Sequence, residues 1–301
     1  METIDLENKL RGFPHVYYFN LDQKTDRKKY MESQFERWGI EYTRMSSNIY
    51  SIWNYDDWTT NKVTGDKSDT DQRLYAPAMM HFDLFKRWLH DTDEEYILVM
   101  EDDYDLNLIE YWHFDWNYLM SKLPYDWDCI QLGFETSNVI SFYLHPVKED
   151  YSFGPCLFKR EYVEKLLRLH SEGFKYRFDF NISNCHWRDR RNYKNAAGSL
   201  EYFMCQSGRT YSIPLIALNP YFSFWYYKDK WIPKSYFQMC YDSYYDWWQN
   251  DRDKFTLDDF FTYGKVNDKI MERNLEYCDT KYFEEKTKVC REKFLKKYGF
   301  K

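Results

Sequence analysis

The alternation of apolar and polar positions at the start of the chain predicts a strand, a helix and a second strand. The apolar run 15–21 is typical of a buried strand. In 26–39 the apolar residues recur on one helical face, with Thr25 as the expected N-cap and Gly39 as the expected stop. Residues 41–47 are expected to form the second strand. Such a β-α-β unit predicts a parallel sheet with helices on its faces.

The same alternation continues less regularly along the chain. We expect a long loop over 48–74, then a helix that begins at Pro77 and ends at His90, then a strand over 95–100. Later segments predict further elements: strands at 127–133, 154–160 and 210–218, and helices at 161–173 and 199–208. The chain is therefore predicted to have an α/β fold with a mostly parallel central sheet flanked by helices.

Chain length and composition limit the number of domains that the chain can form. The chain has 301 residues, enough for one large domain or two modest ones, and 22% of them are aromatic. So many rings can build a core from Tyr, Phe and Trp side chains. We expect one α/β domain over 1–220 and an aromatic and helical C-terminal extension over 221–301 that packs on it.

Charge and hydropathy exclude several classes of protein. The net charge of −7 argues against nucleic-acid binding, which needs an excess of Lys and Arg. No apolar run of about 18 residues predicts a transmembrane segment, and residues 1–10 do not resemble a signal peptide. The seven cysteines form no CxxC pair, which favours reduced thiols and a cytoplasmic location. Only the Lys-rich end, 281–301, suggests a peripheral membrane contact.

Four acidic residues follow the predicted strand 95–100 almost without interruption: Glu101, Asp102, Asp103 and Asp105. Neighbouring carboxylates repel one another unless a cation lies among them. On an extended chain Glu101 and Asp103 point the same way and Asp102 the opposite way. Carboxylates so placed at the end of a parallel strand suit Mg²⁺ or Mn²⁺ together with substrate phosphate oxygens. A solvated acidic turn explains the same residues equally well.

Several segments, taken in order, resemble glycosyltransferase family 25, which contains enzymes of lipopolysaccharide biosynthesis and collagen modification. The segment 97–103, ILVMEDD, matches the family's strand and acidic motif. Later stretches resemble further family segments: 127–133, 154–167 and 199–204. Five positions match the family's Asn-Leu-Asp element and the Asp-Arg pair after it: Asn20, Leu21, Asp22, Asp26 and Arg27. The resemblance covers residues 15–220, although the family's Gly-Cys pair before its Ser-His helix is missing.

This resemblance implies a GT-A-type fold that binds a sugar nucleotide, with Mn²⁺ or Mg²⁺ joining the diphosphate to the acidic motif. It implies Glu101 and Asp103 as metal ligands, or Asp102 together with Asp105 in an alternative register. The nucleotide contacts that it implies come from six residues: Asn20, Leu21, Asp22, Arg27, His81 and Asp102. Arg27 also has a structural interpretation, an ion pair on a helix face. For His81 the structural interpretation is the stronger one, because a single histidine on a helix is more often a structural residue.

The family's enzymes mostly invert the sugar, so a carboxylate should deprotonate the acceptor hydroxyl. Glu201 stands where the family has Asp and is the candidate for this catalytic base. Other acids remain open for that role: Asp128, Asp179 and Asp189. The expected activity is a metal-dependent transfer of a hexose from a UDP-sugar to a glycan, lipid-linked or protein acceptor, with inversion.

Two other functions compete with this expectation. A sugar nucleotidyltransferase would carry a Gly-rich phosphate loop after the first strand, and 20–27 contains no glycine. A non-catalytic carbohydrate-binding protein derived from a transferase would use aromatic rings such as those in 221–248 to stack on sugars. The intact acidic motif favours the enzyme.

Overall fold

The computed structural model describes most of the first half of the chain and parts of the second. The described ranges are 9–46, 63–64, 72–133, 144–146, 154–177, 208–222, 226–227, 230–231, 238, 241–242, 244–251, 257 and 261. The candidate base Glu201, its alternatives Asp179 and Asp189, nearly all of the predicted helix 199–208 and most of the expected loop 48–74 lie outside these residues.

The described elements alternate between strands and helices. The α-helices are α1 (Thr25–Trp38), α2 (Gln72–Asp91), α3 (Trp116–Lys122) and α4 (Arg160–His170), with a 3-10 helix at Asn107–Tyr111 and a π-helical turn at Trp247–Asp251. The strands are β1 (Val16–Asn20), β2 (Tyr42–Ser46), β3 (Val63–Thr64), β4 (Tyr96–Glu101), β5 (Tyr104–Asp105), β6 (Cys129–Gln131), β7 (His145–Pro146), β8 (Cys156–Lys159), β9 (Ser171–Glu172), β10 (Lys175–Arg177), β11 (Thr210–Ser212), β12 (Ala217–Leu218), β13 (Tyr226–Tyr227) and β14 (Lys230–Trp231).

Seven strands form one central sheet in the order β2-β1-β4-β8-β6-β11-β7. β1 pairs in parallel with both β2 and β4, and β6 pairs in parallel with β11. β8 runs antiparallel between β4 and β6, and β7 is antiparallel to β11. Five strands therefore share one direction. The predicted α/β fold with a mostly parallel sheet is confirmed at this level.

Helices cover both faces of the sheet. Alternate residues of β4 point to opposite faces, so Leu98 belongs to one buried apolar cluster and Val99 to the other. The cluster around Leu98 contains residues of α1 and α3, including Phe35 and Trp116. The cluster around Val99 contains residues of α2 and α4, including Phe82. Both faces of the central strands are therefore buried, as expected for parallel strands.

The first β-α-β unit agrees with the prediction to within one residue at every end. Met31 and Phe35 lie one helical turn apart on α1 and are fully buried against the sheet. Gly39 ends α1 in the left-handed conformation with φ of 62°, and its N–H bonds the Glu36 carbonyl. The predicted cap was wrong by one position, because Thr25 is the first residue of the helix and Lys24 precedes it.

Two other predicted helix ends were wrong. α2 begins at Gln72, so Pro77 lies inside the helix instead of starting it. A proline there removes one backbone hydrogen bond and crowds the carbonyl group four residues earlier, and buried side chains on both sides of it pack into the core. α4 ends at His170, and Gly173, with φ of 63°, turns the chain between β9 and β10. That glycine therefore belongs to a hairpin and not to a helix end.

The predicted strand 210–218 is two short strands in two different sheets. β11 belongs to the central sheet, whereas β12 pairs antiparallel with β5, directly after the acidic residues. Close backbone approaches fix this crossing: a Cβ atom on Gly133 would lie 2.5 Å from the Ile216 carbonyl oxygen. A Cβ atom on Gly154 would lie 2.4 Å from the Gly133 carbonyl oxygen. These contacts hold 215–218 beside residues 101–105, which we call the acidic turn.

None of the helices in the described ranges combines the length and the apolar character needed to cross a membrane.

Candidate functional site

Three neighbouring parallel strands end at the same edge of the sheet. Asn20 is the last residue of β1, Ser46 of β2 and Glu101 of β4. Asn20 lies opposite Ser46, and Phe19 lies opposite Glu101. Polar side chains that follow these strands are thus brought together at the carboxyl edge, where α/β proteins usually bind ligands.

Asp102 forms a buried ion pair at this edge. Its two carboxylate oxygens accept hydrogen bonds from Asn20 Nδ2 at 2.6 Å and from Arg27 Nη1 at 2.7 Å. The side chains of Arg27 and Asp102 are only 13% and 10% exposed. The predicted nucleotide contacts Asn20, Arg27 and Asp102 therefore lie together, and the guanidinium group of Arg27 is one cation that stabilises the acidic turn.

Arg44 on β2 orients the Asn20 side chain and was not predicted. Arg44 Nε donates to Asn20 Oδ1 at 2.9 Å, so the Asn20 NH₂ group faces Asp102. Arg44 also forms an ion pair with Asp22, and Ser46 Oγ donates to the Asp22 carboxylate at 3.0 Å and 3.1 Å. The bonds from Arg44 and then from Ser46 lower the pKa of Asp22. No local sequence signal indicated Arg44, because its partners lie 22 and 24 positions away.

Asp103 and Glu101 are the other two acidic residues at the end of β4. Asp103 is 7% exposed, and its Oδ2 lies 4.0 Å from Arg27 Nη1. Its carbonyl accepts from the Asn219 N–H at 2.7 Å, which joins the turn to the residues after β12. Glu101, at the end of β4, is partly exposed. Both residues therefore lie at the carboxyl edge of the sheet, with Glu101 the more exposed of the two.

A divalent cation fits Glu101 and Asp103 only if the ligand completes its coordination. Within the ranges that the structure describes, no three His, Cys, Asp or Glu side chains come together as a metal-binding group. Mg²⁺ and Mn²⁺ are commonly held by one or two carboxylates, with phosphate oxygens and water as the other ligands. The hard oxygen atoms of Glu101 and Asp103 are suitable donors for that arrangement.

Asp105 has surroundings that do not fit a metal ligand. Its carboxylate accepts hydrogen bonds from Tyr30 at 3.0 Å, Tyr241 at 2.8 Å and Tyr245 at 3.4 Å. The Asn107 N–H donates a fourth bond at 2.7 Å. Burial, and next the nearby Asp105 carboxylate, raise the pKa of all three tyrosines. Asp105 thus joins α1 and the C-terminal segment to the acidic turn.

His81 lies in the core and not at the open edge. It is 1% exposed, its ring packs 4.4 Å from that of Phe19, and Nδ1 donates to the Pro77 carbonyl at 2.7 Å. Burial lowers the pKa of His81 to about 3, so the ring is neutral at physiological pH. Its predicted contact with a nucleotide stays a prediction.

The remaining candidates lie in different places. Leu21 follows β1 directly and is 42% exposed at the carboxyl edge. Asp128 precedes β6, which runs in the same direction as β4, so Asp128 lies at the amino edge. There it accepts a hydrogen bond from the Arg209 N–H at 2.8 Å. That position does not suit a base acting at the carboxyl edge.

Comparisons with known proteins assign no family to the chain. No protein family model and no curated protein matches it. Among solved structures, it is similar to the crystal structure of A197 from STIV, with 11% identity and a TM-score of 0.36. That similarity covers 72% of this chain and 88% of the A197 chain. A likeness of this size assigns neither fold nor function, so the chemistry of the site is the basis for a functional proposal.

Proposed function

We propose that the chain is a metal-dependent glycosyltransferase with a GT-A-type domain over 1–220. It would move a hexose from a UDP-sugar to a glycan, lipid-linked or protein acceptor, with inversion. The observation that carries this proposal is the meeting of Asn20 and Arg27, from the first β-α unit, with Asp102 at the end of β4. The resemblance of the same segments to glycosyltransferase family 25 supports it.

In this proposal the residues at the carboxyl edge have separate tasks. Glu101 and Asp103 would hold Mn²⁺ or Mg²⁺, which when bound acts as a Lewis acid toward the departing diphosphate. Asp102 pairs with Arg27, and Asp103 Oδ2 lies 4.0 Å from the same guanidinium group, so this cation offsets part of the negative charge of the acidic turn. A bound divalent cation would offset the rest and supply the positive charge that an anionic diphosphate needs.

Isothermal titration with UDP, with and without Mn²⁺ and repeated with ADP and GDP, tests the proposal. We expect UDP to bind only when Mn²⁺ is present, and more tightly than the purine nucleotides. Asp103→Asn should abolish this metal-dependent binding and leave the circular dichroism spectrum unchanged. The matched control is Asp93→Asn, which makes the same charge change at an exposed position before the amino end of β4.

Three results would contradict the proposal in different ways. If Asp103→Asn and the unmodified chain bind UDP equally tightly in Mn²⁺, Asp103 is not a metal ligand. If UDP binds equally well with and without Mn²⁺, the metal has no part in nucleotide binding. If no nucleotide binds, the acidic turn is a structural feature, and the carbohydrate-binding alternative is favoured.

The proposed base can be tested separately. Glu201→Gln should lower turnover with a UDP-hexose strongly and leave donor binding unchanged, because a general base acts on the acceptor hydroxyl. Full turnover in that variant would exclude Glu201 and direct attention to another acid.

A further inference from the structure

Large apolar side chains that are well exposed are few in the described ranges, and two of them are tyrosines at opposite edges of the sheet. Tyr221 is 71% exposed and follows β12, which pairs with the strand after the acidic turn. Tyr125 is 96% exposed and precedes β6, at the amino edge. Single exposed rings are ordinary on protein surfaces. The position of Tyr221 is what distinguishes it.

The backbone on both sides of Tyr221 is bonded to the acidic site. Two residues earlier, the Asn219 N–H donates to the Asp103 carbonyl at 2.7 Å. One residue later, the Phe222 carbonyl accepts a hydrogen bond from Arg27 Nη2. Tyr221 is therefore held between Asp103 and the guanidinium group that pairs with Asp102.

Hydrogen bonds within the turn also fix its backbone. Asn219 Oδ1 accepts from the Tyr221 N–H at 2.9 Å, and the Asn219 carbonyl accepts from the Phe222 N–H at 3.2 Å. The Phe222 ring is 9% exposed, packs 5.2 Å from the Tyr30 ring and lies 5.8 Å from Arg27 Cζ. Phe222 thus anchors the turn in the core. The Tyr221 and Phe222 rings are roughly perpendicular, with centroids 5.0 Å apart and an interplanar angle of 81°.

We propose that Tyr221 is a stacking residue for a ring of the bound sugar nucleotide. This inference rests on the proposed function and adds a binding residue to the same site. An aromatic ring on a fixed backbone offers a flat apolar surface at little cost in conformational entropy. Both the pyrimidine base and the apolar face of a hexose can pack on such a surface, and neither needs a particular hydrogen-bond partner there.

Titration of three variants in Mn²⁺ with UDP and with UDP-glucose or UDP-galactose tests this role. Tyr221→Ala should weaken nucleotide binding about tenfold, the order of magnitude of one lost base-aromatic stack. Tyr221→Phe keeps the ring and should bind as tightly as the unmodified chain. Tyr125→Ala, which removes the same side chain at the opposite edge, should also bind normally. Thermal denaturation should give the same Tm for all four proteins, because both tyrosines are exposed.

The pattern across ligands shows which ring is stacked. An equal loss for UDP and the UDP-hexoses identifies the base, and a loss for the UDP-hexoses alone identifies the sugar. Unchanged affinity of Tyr221→Ala for every ligand would overturn the inference while leaving the proposed function intact. A loss in Tyr221→Phe as large as in Tyr221→Ala would also overturn it, because the hydroxyl and not the ring face would then be responsible. Absence of nucleotide binding in the unmodified chain overturns both proposals.

Discussion

Asp102 and Asp105 lie on the same turn and are both buried, yet they are stabilised by different kinds of partner. Asp102 accepts from a guanidinium group and a side-chain amide, so its charge is neutralised locally. Asp105 accepts from three phenol hydroxyls and one backbone N–H, all of them neutral. The comparison shows that one acidic turn can stabilise two buried carboxylates in different ways, one with a cation and one with neutral donors.

The largest expected effect is that of Asp102→Asn. It leaves Arg27 buried without its charge partner, although Asp103 at 4.0 Å compensates in part. We expect the free energy of unfolding to fall by about 3 kcal/mol, at the lower end for a broken buried ion pair. Urea denaturation followed by tryptophan fluorescence measures it. A loss below about 1 kcal/mol would show that the ion pair contributes little.

Asp105→Asn should cost less, about 2 kcal/mol in the same experiment. The amide keeps one acceptor oxygen, and phenol hydroxyls can rotate to accept from its NH₂ group. No cation is left unpaired by this change, which is the physical difference from Asp102. If Asp105→Asn proves more destabilising than Asp102→Asn, the proposed difference between the two carboxylates is wrong.

Alkaline pH should act on the tyrosines around Asp105 and leave the Arg27–Asp102 ion pair intact. The pKa values of Tyr30, Tyr241 and Tyr245 are raised in the folded state, so the unfolded chain releases their protons first. Stability from these groups is present below about pH 10 and is lost as pH rises above that value. Between pH 9 and 11, Tyr241→Phe should therefore lose about 1 kcal/mol less than the unmodified chain. Asp102→Asn should lose as much stability between pH 9 and 11 as the unmodified chain. If its loss is instead reduced as much as that of Tyr241→Phe, the alkaline loss does not come from the tyrosines around Asp105.

The smallest expected effects separate two neighbouring tyrosines. Tyr241→Phe removes a hydrogen bond of 2.8 Å to Asp105 and should cost about 1 kcal/mol at neutral pH. Tyr245→Phe removes one of 3.4 Å and should cost less than about 0.5 kcal/mol. Urea denaturation of both variants decides the ranking. Equal costs would mean that the distances do not report the strengths of these bonds.

Local patterns predicted the fold better than they predicted the ends of its elements. The β-α-β unit was found because its buried faces have clear periods, as Met31 and Phe35 show. The start of α2 was missed because Pro77 is more common in a first turn, and only tertiary packing reveals that the helix extends before it. The parallel sheet followed from the alternation of strands and helices, but the reversed β8 did not.

The site was predictable where its residues follow strands and unpredictable where they come from distant segments. Asn20 and Asp102 each lie at or just after the end of a strand, which placed them at one edge before any contact was known. The partners of Asp105 had no such signal, since Tyr241 lies 136 positions away in a stretch without a clear period. The roles taken from the family resemblance, including those of Glu101, Asp103 and Glu201, stay predictions.

The distance in sequence between Asp105 and Tyr241 also has a consequence for the order of folding. During synthesis, 136 further residues must be added after Asp105 before this hydrogen bond can form, whereas β1 and β2 can pair much earlier. Closing so long a loop is slow, because the chain between the two residues must lose conformational entropy before the contact forms. A nascent chain should therefore build the sheet first and complete the acidic turn last, when the segment near Tyr241 closes over it.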